Sequence, residues 1–521
     1  MRSKTLGPRR HTARRTPLLH AQAPLTRAAG LALLAAGVLG QTAWAQDSEA
    51  PGSEAPGPEA PGPEAPGPEA PGPEAPAAAS AAEEPQALAI RAARVVLRPG
   101  QVLENATVVV EGRRITAIGA DVEVPEGARV LEGDVVCAGF IDPWSVAGLD
   151  ANSARATSSE AFARAADAVD PYSQEHVLDE LVRAGVLATR SIVGARAPFG
   201  GLSVFLRTAD AQPLLDESAL HTAVGVGGGF SQQRSFDGSL TFGFSEVDPL
   251  QRLAQIDKIA DQLRAGAKYG ADRVEYELEL AEWQKEIADK EEELQDDFKK
   301  AKKDRDKKVK KAEDDGKEFK EKKYKEARRP KEPRFDPEKA VFARVVNGEL
   351  PLVVRADRAL EIRDILKQTA EFDRLRLVVA GGRSALACAR DLVARDVPVI
   401  VTPSASAKST GDSLNRGLGL AGDLHAAGIE VLIGSGGSSA LASRDLPLLA
   451  ALAVGHGLDA DAALHAITRG PAQVFDLGAD VGTLRRGRAA ELIVLSGNPL
   501  SSSTRVLFAV SNGEVVHSDA D

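Results

Sequence analysis

The chain has 521 residues, 43% of them hydrophobic, with a formal net charge of −11 and a sequence pI near 5.5. That length and apolar content allow a large core and more than one domain. The acidic balance and an aromatic content of 4% exclude a chain built as a whole to hold nucleic acid.

Two cysteines, Cys137 and Cys388, are too few for a disulfide scaffold or an all-cysteine zinc site. Both lie in apolar segments where free thiols are common, the alternative being one long-range disulfide in an oxidising compartment.

Residues 1–45 read as a signal peptide. Arg9, Arg10, Arg14 and Arg15 make a basic start, and Ala28 to Gly40 is an apolar run short for a bilayer span. Ala43-Trp44-Ala45 fits a small-x-small cleavage site, so either the segment is cut after Ala45 or it is kept as an anchor. Both readings place the chain outside the cytoplasm: exported, periplasmic or in the cell envelope, or secreted. Residues 46–87 are a proline, glutamate, alanine and glycine spacer, because recurring prolines remove backbone donors and fix φ.

Residues 88–136 change to short strands, with Glu111-Gly112-Arg113 as a hairpin turn, and residues 480–521 have the same character around Asn512-Gly513. Together they predict one small β-sandwich domain built from both chain ends. Between them, residues 137–479 alternate strands and helices. Val186 to Val193, Leu352 to Arg355, Leu375 to Val379, Val397 to Val401 and Val431 to Ile433 read as strands. Val177 to Arg183, Ala359 to Phe372 and Ala385 to Ala394 read as helices. Such alternation predicts an α/β class chain with a parallel sheet.

A charged helical insertion at 250–337 lengthens this middle part. Trp283, Ile287, Leu294 and Phe298 are spaced like a weak coiled-coil seam, and the segment reads either as a solvated helical hairpin or as a partner-binding arm. Lys299 to Lys311 is basic but has no interleaved aromatics, so no nucleic-acid partner is expected.

The order of parts resembles the amidohydrolase superfamily, and in detail its exported imidazolonepropionase-like branch. The residues that carry the resemblance are Gly139-Phe140-Ile141-Asp142, the stretch Ala184 to Gly201, Leu464 to Ala472, and the closing block Gly482-Thr483-Leu484 to Asn498-Pro499-Leu500, with Glu491 where the family usually has Asp. It spans residues 88–521.

The resemblance implies a TIM-like (β/α)8 barrel and metal-assisted hydrolysis of carbon–nitrogen bonds at the strand ends. The family norm is zinc or another divalent ion held by imidazoles and carboxylates.

This chain departs from that pattern at each ligand position. The first strand should read Phe-Ile-Asp-x-His-x-His, but Trp144 and Val146 stand for the histidines after Asp142. The fifth strand ends in Arg355, the sixth reads Val378-Val379-Ala380-Gly381-Gly382 without His, and Gly434-Ser435-Gly436 replaces Gly-Ser-Asp. A guanidinium is not deprotonated in a protein and repels a cation. No His-x-His or His-x-x-x-His pair exists, and His176 and His221 read as lying in irregular or helical stretches at the surface or core edge.

Asp142, Asp357, Glu361 and Asp412 are the carboxylates left near the mouth, a set that would suit an oxygen-loving ion better than hydrolytic zinc. No cofactor is expected. The Gly/Ser loop is either a plain turn or an anion cradle made by Ser435, Gly436 and Gly437 with Arg355 and Arg383.

The reading is therefore a catalytically degenerate exported barrel, a pseudoenzyme used for binding or assembly. Its expected partner is a second copy or an intact amidohydrolase. An active hydrolase of cyclic amide or dipeptide-like bonds with a relocated or metal-free site is the alternative.

Overall fold

The structure is a computed structural model that describes residues 87–155, 160–193, 198–225, 230–234, 240–244, 247–314, 316, 328–404, 417–478 and 480–519. The leader, the spacer up to residue 86 and Asp412 lie outside the described residues.

The first four strands are β1 (Leu88–Arg98), β2 (Gln101–Glu111), β3 (Arg114–Gly119) and β4 (Arg129–Ala138). Eight barrel strands are β5 (Phe140–Ser145), β6 (Val186–Ser191), β7 (Phe199–Arg207), β8 (Pro213–Ala223) and, after a separate hairpin of β9 (Phe230–Arg234) and β10 (Leu240–Phe244), β11 (Leu352–Ala356), β12 (Leu377–Gly381), β13 (Val399–Val401) and β14 (Val431–Ile433). The chain returns through β15 (Leu492–Leu495), β16 (Val506–Ser511) and β17 (Glu514–Ser518).

One seven-stranded sheet, ordered β17-β16-β15-β4-β1-β2-β3, joins the two ends of the described chain. Its two outer hairpins turn where the sequence offers glycine. Gly112 has φ +55° between β2 and β3, and Asn512 and Gly513 have φ +53° and +85° between β16 and β17, the left-handed pair that a two-residue hairpin requires.

The second sheet holds eight strands in the order β14-β13-β12-β11-β8-β7-β6-β5. All pairs are parallel except β6–β7 and β7–β8. The strand–helix alternation predicted parallel neighbours throughout, but β7 runs against both. The reason is chain length: only Thr208 to Gln212 connect β7 to β8, too few residues for a parallel crossover.

Every residue of β5 and β6 is buried, because one strand face looks into the barrel and the other is covered by helices. Ile141, Ala188, Phe205, Ala219, Val353, Val378, Ile400 and Leu432 make the inner core, and Phe140, Leu187, Val354, Val379, Val399 and Ile433 face the outer one.

The insertion begins as a barrel helix. Its helix runs unbroken over Pro249–Asp314, and Ile256, Ile259 and Leu263 are fully buried in the outer core. Gly266 lets it approach the Pro337–Val346 helix closely: a Cβ there would lie 2.4 Å from the Cβ of Phe342. Trp283 and Ile287, the start of the expected seam, are half-buried. Among the described residues no helix is long and apolar enough to cross a membrane. Cys137 and Cys388 are free and buried.

Candidate functional site

The site is built at the seam between the first and last barrel strands. Pro143 has no N–H, and the β5–β6 register breaks between Asp142 and Ser145, where a proline is tolerated in a sheet. The freed carbonyl of Pro143 accepts from Arg190 Nη1 at 3.1 Å. Asp142 turns its carboxylate to the seam, where Oδ1 accepts the N–H of Trp144 at 2.9 Å and the N–H of Ser435 at 3.1 Å. The carbonyl of Trp144 accepts in turn from Gly436 N at 3.1 Å and Ser435 Oγ at 3.0 Å.

These contacts fix the roles of the residues singled out in sequence. Asp142 is fully buried and joins the seam, and burial raises its pKa against the hydrogen bonds from Ser435, Ser443 and Trp144 that favour the carboxylate. Trp144 and Val146 are buried in the inner core. Arg355 is half-buried with its guanidinium carbon 5.7 Å from the Trp144 ring centroid. The N–H groups of Ser435 and Gly436 are engaged in closing the seam. Gly437, at φ +62°, packs beside the Trp144 indole.

Arg383 pairs instead with Asp357, at 3.8 Å. Glu361 caps its own helix: Oε2 accepts the N–H groups of Asp357 and Arg358, and Oε1 accepts Arg252 Nη1 at 2.8 Å. Neither Asp357 nor Glu361 reaches the seam as a spare ligand.

Two residues that sequence reasoning passed over lie inside the barrel. His221 sits on β8 and is fully buried, which corrects its expected place in an irregular or helical stretch at the surface or core edge. Both of its ring nitrogens lack a hydrogen-bond partner, and burial, then the charges of Arg190 and Arg355, drive its pKa well below the usual imidazole value. Arg190, on β6, is also fully buried. It donates from Nε to Ser203 Oγ at 2.9 Å and lies 4.9 Å above the Phe475 ring. Burial pushes its pKa down to about 9, opposed by Asp142, so it stays cationic at neutral pH. The signal was its phase: Ala188 and Arg190 alternate onto the barrel-facing side of β6.

A divalent ion does not fit this donor set. Indole, alkyl, guanidinium and glycine stand at four of the five expected ligand positions, and the sixth strand offers no histidine at the other. Asp142 has one oxygen already taken by two N–H donors, and His221 is flanked by two guanidinium charges. Among the described residues no three His, Cys, Asp or Glu side chains gather as a metal would need.

What the mouth does hold is a cavity of about 420 Å³. Trp144, Val146, Leu149 and Val177 make its apolar wall, and Arg355, Gln174 and the Gly436-to-Ser439 turn its polar one. That size is ordinary for a small-molecule site.

Residues 383–517 match the model of the amidohydrolase family. No curated protein matches the chain. Among solved structures, an amidohydrolase from Thermotoga maritima MSB8 has the same fold, with a TM-score of 0.59 and 19% identity over 83% of this chain and 100% of that one. An ochratoxinase from A. niger matches at a TM-score of 0.45 and 14% identity, over 83% and 96% of the two chains.

Proposed function

We propose that this amidohydrolase-superfamily barrel is a pseudoenzyme: it binds at its mouth and does not carry out metal-assisted hydrolysis. The observation that carries the reading is the Trp144–Arg355 stack. An indole and a permanent cation occupy the strand ends where metal ligands would stand, 5.7 Å apart. A cation brought to that place would meet Arg355 and Arg190 with no compensating pair of free carboxylates.

The basic leader, the Ala43-Trp44-Ala45 site and the proline-rich spacer support an exported setting, periplasmic or in the cell envelope. A second copy or an intact amidohydrolase is the natural assembly partner for such a chain.

The test is metal analysis of the purified protein beside a screen of cyclic amides and dipeptides. We expect well under about 0.1 equivalent of any divalent metal per chain and no turnover that chelators abolish. Stoichiometric zinc, lost together with hydrolysis on chelation, overturns the reading.

A further inference from the structure

Two distant stretches of the chain assemble a basic patch on the small sheet. The turn at 112–115 and the loop at 487–490 are laced by backbone bonds. Ile115 N donates to Arg488 O at 3.0 Å, Gly487 N to Ile115 O at 2.7 Å and Ala490 N to Arg113 O at 3.0 Å. Arg114 Nη1 adds a bond to Gly487 O at 2.7 Å. Arg113, Arg114, Arg485, Arg486 and Arg488 are thereby gathered, the first four of them exposed. Asp480 lies 3.9 Å from Arg114. Glu111 ends β2, and Glu514 begins β17 at a turn that touches Gly112, so five guanidiniums meet three carboxylates. The side chains of Arg113, Arg485 and Arg486 have no hydrogen-bond or ion-pair partner among the described residues. Burial, then the charge of Arg485, lowers the pKa of Arg488, with Asp480 opposing and Arg469 adding, as crowding of like charges requires.

The described chain begins beside this patch. Leu88 at the start of β1 pairs with Val110 of β2, which pairs with Ile115 of β3. Two strand spacings, about 10 Å, therefore separate the start of β1 from the arginine turn. The stretch that enters there, residues 46–86, holds Asp47 and eight glutamates and no Lys, Arg or His. Its last pair, Glu83 and Glu84, lies within four residues of Ala87, a reach of up to about 13 Å.

We propose that the acidic spacer folds back onto this arginine patch of its own chain, Glu83 and Glu84 first and Glu74 after them. Charge sign, entry point and reach each favour the chain's own segment. Tethering holds its carboxylates at an effective concentration on the order of millimolar, ahead of a free polyanion or another copy's spacer at ordinary dilution. Guanidinium–carboxylate pairs are directional, but at an exposed site salt screens them. The contact is therefore a salt-sensitive strap. Docked, it takes up chain that extends about 3.1 Å per residue when free, and so sets how far the folded part stands from residues 1–45. The strap is independent of the barrel's metal content, so its failure leaves the pseudoenzyme reading untouched.

The experiment is double electron–electron resonance on the full chain, with nitroxides at Ala75→Cys, beside Glu74, and at Val516→Cys, an exposed position on β17. Cys137 and Cys388 are buried. At about 20 mM salt a narrow distance distribution centred below about 35 Å is expected, and at about 500 mM a broad one at least about 10 Å longer. The combined variant Arg113→Gln, Arg485→Gln and Arg486→Gln is expected to be broad at both salts, and so is Glu74→Gln with Glu83→Gln and Glu84→Gln. Thermal melts check that both fold.

A distribution that is broad at low salt, or that stays narrow in the arginine variant, overturns the proposal. A narrow distance that disappears when excess unlabelled chain is mixed in gives the patch to a second copy's spacer and also overturns it. A broad distribution together with arginine-dependent binding to phosphatidylglycerol vesicles gives the patch to an anionic surface instead.

Discussion

The carboxylate of Asp142 accepts the backbone N–H of Ser435 at 3.1 Å, across a sequence separation of 293 residues, and so stitches the first barrel strand to the end of the last. The same oxygen takes the Trp144 N–H. Asp142→Asn keeps an acceptor there and removes a charge that burial disfavours, so it is expected within about 1 kcal/mol of wild type. Asp142→Ala orphans two buried donors and is expected to cost about 2–4 kcal/mol, read from urea midpoints at constant slope. The raised pKa adds a sign. Ionising Asp142 costs stability as pH rises through its folded value, and Asp142→Asn abolishes that loss. Equal stability of the Ala and Asn variants would contradict this account.

Trp144 is 5% exposed and anchors the inner core beside Phe205, Val353 and Leu432. Trp144→Ala is expected to lower stability by about 3 kcal/mol. Installing Trp144→His and Val146→His together is not expected to create a zinc site, because Arg355 remains. Adding Arg355→His to the pair is expected to tighten zinc binding at least about tenfold, measured against a chromophoric chelator. A double variant that binds zinc as tightly as the triple would show that the guanidinium is no barrier.

Gly266 and Gly270 face the Pro337–Val346 helix at different depths. A Cβ at Gly266 would lie 2.6 Å from the backbone carbon of Phe342, whereas one at Gly270 would meet only the Ala343 Cβ, at 3.3 Å. Gly266→Ala is expected to destabilise by about 1–3 kcal/mol despite the better helix propensity of alanine. Gly270→Ala is expected to be near neutral, since propensity and crowding oppose each other. Thermal melts of both variants decide whether the insertion helix is anchored to the barrel where the contacts say.

Glu491 lies between the barrel and the small sheet. It accepts from Ser511 Oγ at 2.7 Å and Asn512 N at 2.9 Å and lies 3.2 Å from Arg207 Nε. Burial nevertheless raises its pKa from 4.5 to about 7, with Asp210 adding slightly and the hydrogen bonds and Arg207 opposing. The folded state therefore holds this proton more tightly than the unfolded chain. Its contribution is complete below the unfolded value and lost as pH rises to about 7, a change on the order of 3 kcal/mol. Glu491→Gln is expected to flatten that stretch of the stability profile. A profile as steep in the variant as in wild type would place the titration elsewhere.

Much of this frame was legible in the sequence. The apolar segments Leu352 to Val354 and Val431 to Ile433 and the two glycine-bearing hairpins are read from residue type and spacing, whereas the departures at Trp144, Val146, Arg355 and Gly436 are read only against the family resemblance. The interior charge was not. Arg190 falls within the strand read over Val186 to Val193 but without its inward phase being apparent, and His221 reads as lying in an irregular or helical stretch, although both stand at barrel-facing strand positions. β8 pairs directly with β11, which carries Arg355, and curvature of the sheet turns β6 toward the same interior. The Gly/Ser loop was half-legible. It reads as either a plain turn or an anion cradle, and two of its N–H groups are turned to Asp142 and Trp144, because a nearly closed sheet must satisfy its last edge. The reversal of β7 depends on connection length and not on composition.

Gly436 stands at the closing seam of this barrel. It holds φ +87°, its N–H bonds the Trp144 carbonyl, and a Cβ there would lie 3.0 Å from Thr402 Oγ1. An acidic residue placed at 436 would be strained before any ion arrived. Any side chain at 436 therefore presses on the latch between the first and last barrel strands, so this position couples the local turn to closure of the sheet.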